Sequence, residues 1–140
     1  MLVEPKRSEH RKVHRERGAL SGKHAKGDLL LAFGEFGLKA VTPAEIDSRQ
    51  IEAARKAINN SLRRSGLLWI RVFPHKSITK KAAEVPMGSG KGSPEKFVCP
   101  TGRGRIIFEL AGVSEEQAKE AFRLAMHKLP CVCKFVTKNL

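Results

Sequence analysis

Lys91 stands between Gly90 and Gly92 in the run Pro86-Met87-Gly88-Ser89-Gly90-Lys91-Gly92-Ser93, the stretch whose residue types most suggest chemistry. Glycine lets a backbone approach a partner closely and adopt positive φ, and a lysine ammonium is a compact charge that reaches phosphate. The obvious enzymatic comparison is the phosphate-binding loop of nucleotide hydrolases, which needs Gly, four residues, Gly-Lys and then Ser or Thr. Here Val85 holds the first glycine's place, Gly92 holds the hydroxyl's place, and Pro94 interrupts any helix that should follow. The dinucleotide-binding glycine spacing fails as well. The run reads as a flexible basic loop serving a polyanion.

Other residues nominate no catalyst. His75 and His127 are isolated, Asp28 and Asp47 lack a carboxylate partner in sequence, and there is no Gly-x-Ser-x-Gly elbow. Cys99, Cys131 and Cys133 are an odd set without the second pair or histidine cluster of a four-ligand zinc site. Reduced, partly buried thiols in a reducing compartment are expected. No catalytic residue, metal or cofactor is therefore expected. No apolar run approaches the roughly 18–20 residues of a membrane span, and the N-terminus has no signal-peptide core.

Charge identifies the class of partner. The 140 residues carry 27 Lys and Arg against 14 Asp and Glu, a net +13. Such a surplus points to nucleic acid before an acidic membrane. It is unevenly spread: residues 1–28 hold eight basic and four acidic residues, 48–65 hold five and one, and 74–105 hold seven and two. Residues 106–140 are nearly balanced. That layout suits a binding face better than uniform solubilisation.

The elements that must position these charges follow in chain order. Residues 1–28 lack apolar periodicity and read as a basic extended arm, which orders by neutralising phosphate. Residues 29–140 read as a single domain. Leu29 to Val41 suggests a bent strand or two strands, with Phe33 and Phe36 in the core. Thr42-Pro43-Ala44-Glu45 has the form of a capping box, predicting one helical turn. A main helix is expected over 48–65, with Asp47 and Gln50 at its start. Ile51, Ala54, Ile58 and Leu62 fall on its buried face, and Arg49, Lys56 and Arg63 lie opposite. Leu67 to Phe73 predicts a strand that puts Trp69, Arg71 and Phe73 on one face. There Arg71 could stack, reach phosphate or form an edge ion pair. Residues 74–94 have no periodicity and read as a long loop, a feature usually functional in a compact domain. Phe97 and Val98 are extended until Pro100 interrupts, and residues 105–110 form another strand. Ser114 and Gln117 box the start of a second helix that Pro130 stops, and 131–136 form a last strand.

Seven stretches then stand in order: M-L-V-E-P-K-R at the start, F-G-E-F-G-L-K-A, S-R-Q-I-E-A-A-R-K-A, W-I-R-V-F-P, M-G-S-G-K-G-S-P-E, G-V-S-E-E, and K-L-P-C-V-C-K-F-V-T. Together they resemble the bacterial-type large-subunit ribosomal protein sixteen family, collinear from Met1 to about Thr137. The resemblance implies an α+β fold with a mixed, largely antiparallel sheet packed by two helices, and a protruding loop over residues 74–94. It implies a structural, non-catalytic ribosomal protein with large-subunit rRNA, A-site tRNA and neighbouring ribosomal proteins as partners, and no membrane or homo-oligomer. The family helps position A-site tRNA near the peptidyl-transferase centre and joins late in assembly. Carried over by position, Lys6, Arg7, Arg11, Lys12, His14 and Arg15 are arm contacts to rRNA. Arg49, Arg55 and Arg71 are domain contacts, and Met87, Gly88, Gly90, Lys91 and Gly92 form the tRNA-proximal loop. The family pattern places arginine before Met-Gly, where this chain has Pro86. The expected location is the ribosome, in a bacterial cytoplasm or an organelle. A free RNA-binding or RNA-chaperone module is the alternative that the charge layout alone would also fit.

Overall fold

The computed structural model describes residues 4–6, 10–14 and 23–138. Local signals set the helices. Asp47 caps α1 (Ser48–Leu62): its side chain accepts from Gln50 N–H at 2.8 Å, while Gln50 Oε1 accepts from Asp47 N–H at 3.0 Å. Ser114 and Gln117 close the same reciprocal box on α2 (Glu115–Met126). Each box satisfies two of the four donors that a helix start leaves open. The first helix ends at Leu62, short of the expected Ser65, because Arg63 and Arg64 turn into the left-handed region.

The strands are β1 (Phe36–Ala40), β2 (Ala44–Asp47), β3 (Leu67–Ile70), β4 (Lys76–Lys80), β5 (Ser93–Thr101), β6 (Ile106–Ala111) and β7 (Cys133–Thr137). The α+β class with two helices and antiparallel pairing stands as expected. The strands divide between two sheets, ordered β3-β6-β1-β7 and β2-β5-β4, and every ladder between them is antiparallel.

Two segments differ from their local signals. Ala44–Asp47 is a strand rather than a helical turn, because it pairs with Val98–Thr101 and so satisfies its backbone across the sheet. Lys76–Lys80 pairs with the start of β5, so part of the expected 74–94 loop is also strand. Pro100 does not end β5. β4 borders residues 93–98 and β2 borders 98–101, so Pro94 and Pro100 each sit where β5 has a neighbour on one side only. That is where a missing N–H is tolerated.

The helices pack on each other and close the core over the sheets. Leu38, Ile46, Ile51, Ile58, Ile107, Phe108, Leu110 and Phe122 are fully buried. Phe36 is half-buried and stacks on Phe135, but Phe33 is 59% exposed and so is not the core residue its neighbours suggested. Its aliphatic neighbours Leu29 and Leu30 are themselves exposed, which removes the apolar surroundings that expectation relied on.

Candidate nucleic-acid interface

The arm touches the domain at points far apart in sequence. Ser48 Oγ donates to Glu4 Oε1 at 3.0 Å, placing a carboxylate at the start of α1 where the helix dipole favours it. Ser77 Oγ, on β4, donates to the Arg11 carbonyl at 2.6 Å. Further along, Ala25 N–H donates to the Arg103 carbonyl and Arg103 N–H to the Lys23 carbonyl, both at 2.9 Å.

The arm also meets the glycine loop. Lys12 Nζ donates to the Lys91 carbonyl at 2.9 Å, and Lys91 Nζ donates to the Val13 carbonyl at 2.5 Å. Both ammoniums bond to carbonyls rather than carboxylates, so their charge is held in place without being cancelled. Within the loop Lys81 Nζ bonds to the Gly88 carbonyl. Gly88, Ser89 and Gly90 have φ of 109°, 61° and 99°. Three successive left-handed residues turn the chain sharply, and the two glycines take that conformation without strain. Met87 sits on this turn with 94% of its surface exposed. An open groove of about 690 Å³ runs between the loop and residues 79–83, lined by Lys80, Lys81, Met87 and Lys91.

The structure therefore brings Arg11, Lys12, His14, Met87, Gly88, Gly90, Lys91 and Gly92 into one exposed basic region. Lys6 is also exposed. Arg7 and Arg15 lie outside the described residues. The three expected domain contacts have different settings. Arg49 is exposed on α1. Arg55 instead forms two hydrogen bonds to Glu52, through Nε at 3.0 Å and through Nη2. That pairing holds the Glu52 carboxyl down at about 2 despite its burial.

Arg71 is likewise engaged. Its guanidinium bonds Glu109 through Nη1, reaches Asp28 at 2.7 Å through Nη2, and lies 5.0 Å from the centre of the Phe33 ring. Of the alternatives open from sequence, the ion pair and the aromatic contact are both realised. Glu109 is completely buried. Burial alone would raise its pKa. The Arg71 bond and the N–H groups of Gly34, Phe33 and Ala32 outweigh that and lower it.

Asp28, Lys81, Arg103, Arg105 and Glu109 were not singled out by sequence. For Asp28, Arg103, Arg105 and Glu109 the partners lie tens of residues away, and for Lys81 the partner is a backbone carbonyl across the loop turn, so no local spacing marks them. Arg105 and Lys23, His24 and Lys26 line a second cleft of about 280 Å³. Cys131 and Cys133 bring their sulfurs to 3.5 Å as thiols. Their mutual hydrogen bond lowers the pKa of Cys131 and raises that of Cys133. Among the described residues no group of three or more His, Cys, Asp or Glu side chains is placed to hold a metal ion. No described helix is long and apolar enough to cross a membrane.

Comparison with known proteins places this basic surface in a family. Residues 5–136 match the family described as ribosomal protein L16p/L10e. The chain is 56% identical over 138 residues to the large ribosomal subunit protein uL16 of Mesoplasma florum, spanning 99% of this chain and 98% of that one. It is similarly 56% identical over 139 residues to the large ribosomal subunit protein uL16 of Streptococcus pneumoniae strain Hungary19A-6, with the same two coverages.

Proposed function

The chain belongs to the ribosomal protein L16p/L10e family and is a non-enzymatic, structural constituent of the large ribosomal subunit; from that premise we propose that the arm and the glycine loop work as one RNA-facing unit. The arm residues Lys6, Arg7, Arg11, Lys12, His14 and Arg15 neutralise rRNA phosphates, with Arg49 adding to them from α1. Arg55 and Arg71 keep their carboxylate partners and contribute by orienting neighbouring backbone toward RNA. The loop tip at Met87–Gly92 faces A-site tRNA near the peptidyl-transferase centre and helps position it. Docking of the tip onto already folded RNA makes the protein a late joiner in subunit assembly.

One observation carries this reading: the reciprocal bonds of Lys12 and Lys91, which fasten the loop to the arm. An arm fixed by phosphate contacts thereby fixes the direction of the tip, which reduces the ordering cost when tRNA arrives.

Reconstitution of large subunits lacking this protein tests the division of labour. With Lys91→Ala the Lys12 bond to the residue 91 carbonyl survives, so incorporation into subunits is expected to match wild type. A-site tRNA binding is expected to fall by about tenfold or more, the loss of roughly one charge-assisted hydrogen bond. Equal loss of incorporation and tRNA binding would overturn the proposal.

A further inference from the structure

Phe33 is an aromatic ring that the fold fixes in place and leaves uncovered. The backbone N–H groups of Ala32, Phe33 and Gly34 all donate to Glu109 Oε1, at 2.9, 3.0 and 3.1 Å. Gly34 has no room for a side chain, since a Cβ there would lie 2.6 Å from the Leu110 carbonyl oxygen. The turn is thus clamped to β6 by a buried carboxylate and by close backbone approach. Trp69 stacks on the Phe33 ring, with centroids 6.0 Å apart and planes inclined by 20°, and Arg71 lies against it. More than half of Phe33 still faces outward.

Its surroundings indicate what would cover it. Arg71 also lines a shallow groove of about 330 Å³ with Lys26, Asp28, Leu29 and Leu30. The neighbouring cleft adds Lys23, His24 and Arg105. Lys23, Lys26, Arg71 and Arg105 therefore outnumber the one carboxylate, Asp28, that lines these two clefts, and Arg71 joins them to the exposed ring. Protein-docking surfaces are depleted of charge at their centre. Sites for single-stranded nucleic acid instead combine an aromatic face with a basic groove that follows the backbone.

We infer that Phe33 is a stacking platform for an unpaired base of the large-subunit RNA, with Lys23 and Lys26 contacting the adjoining phosphates. The assignment rests on the rRNA-binding reading above and adds a site where the end of the arm meets Phe33, apart from the glycine loop and from arm residues 6–15. Clamping by Glu109 means that the ring loses little freedom when a base stacks on it.

The test uses the full chain and two probes: a single-stranded RNA of about eight nucleotides, and the same ribose-phosphate backbone without bases. Trp69 is the chain's one tryptophan and there is no tyrosine, so its fluorescence reports on the ring stacked against it. The base-bearing probe is expected to bind about tenfold more tightly than the abasic one and to change Trp69 emission. Phe33→Ala and Phe33→Leu should erase that advantage while leaving abasic binding unchanged, and Phe33→Tyr should keep it. Equal affinity of the wild-type chain for both probes overturns the platform. So does an advantage that persists in Phe33→Ala. Persistence in Phe33→Leu alone would also overturn it, in favour of an apolar contact such as a protein neighbour makes. A wild-type chain that binds neither probe at physiological salt would instead overturn the RNA reading beneath it. Circular dichroism identical to wild type confirms that each variant is folded.

Discussion

At the residue scale, the side chain on which most depends is an acid in a basic protein. Glu109 has no exposed surface, and it accepts from three backbone N–H groups and from Arg71. Removing its charge leaves Arg71 with Asp28 as its other carboxylate and weakens the clamp on the Phe33 turn. Glu109→Gln should lower unfolding free energy by about 3 kcal/mol, the scale of breaking a buried pair by removing one partner, as read by urea denaturation. The carboxylates also set the response to pH. Glu52 and Glu109 have folded pKa values below the ordinary range, Glu52 at about 2. Their contribution is therefore fully present above the unfolded glutamate value of about 4.3 and is lost as pH falls through the folded values. Thermal melts should be level from neutrality down to about pH 5 and drop steeply below about pH 4. Glu52→Gln should flatten part of that drop, and an unchanged acid limb would contradict the assignment.

At the element scale, the two helices are fixed by local rules and the strands by remote ones. Asp47→Ala removes the side-chain half of a complete capping box and should cost about 1 kcal/mol, a shift measurable in the same denaturation series. Phe122→Ala empties a fully buried position on α2 and should cost about 3–5 kcal/mol. The asymmetry explains what the sequence made legible. Asp47 with Gln50 and Ser114 with Gln117 lie three residues apart, so the amino-acid pattern contains the whole interaction. β2 and β4 become strands only because β5 lies between them, and Ala44 meets Thr101 across 57 positions (101 − 44). A capping-box pattern at Thr42–Glu45 was therefore overridden by a partner that no local window contains. Phe33 shows the same limit: exposure depends on which side of the Glu109 clamp the turn faces. The basic loop and arm were recognisable from residue type, but the Lys12–Lys91 link spans 79 positions and was not.

At the scale of the whole molecule, charge and shape gather the described arm residues and the glycine loop into one exposed basic region. A core of aliphatic and aromatic side chains holds two sheets and two helices, and described residues of the basic arm touch α1, β4, the loop and Arg103. If the arm neutralises phosphates, affinity for large-subunit RNA should fall steeply with salt. Replacing both Arg11 and Lys12 by alanine should then reduce the slope of log affinity against log salt by about 1.4–1.8, the value for two phosphate contacts. An unchanged slope would remove those residues from the interface. The loop tip gives the sharpest geometric expectation, since Met87 is exposed and Lys91 ties it to the arm. The most direct measurement is a density map of the large subunit containing this chain and A-site tRNA. It should place residues 6–15 between RNA helices and the Met87–Gly92 tip against the tRNA. A tip directed into solvent or into a neighbouring protein, with the arm away from RNA, would contradict the account.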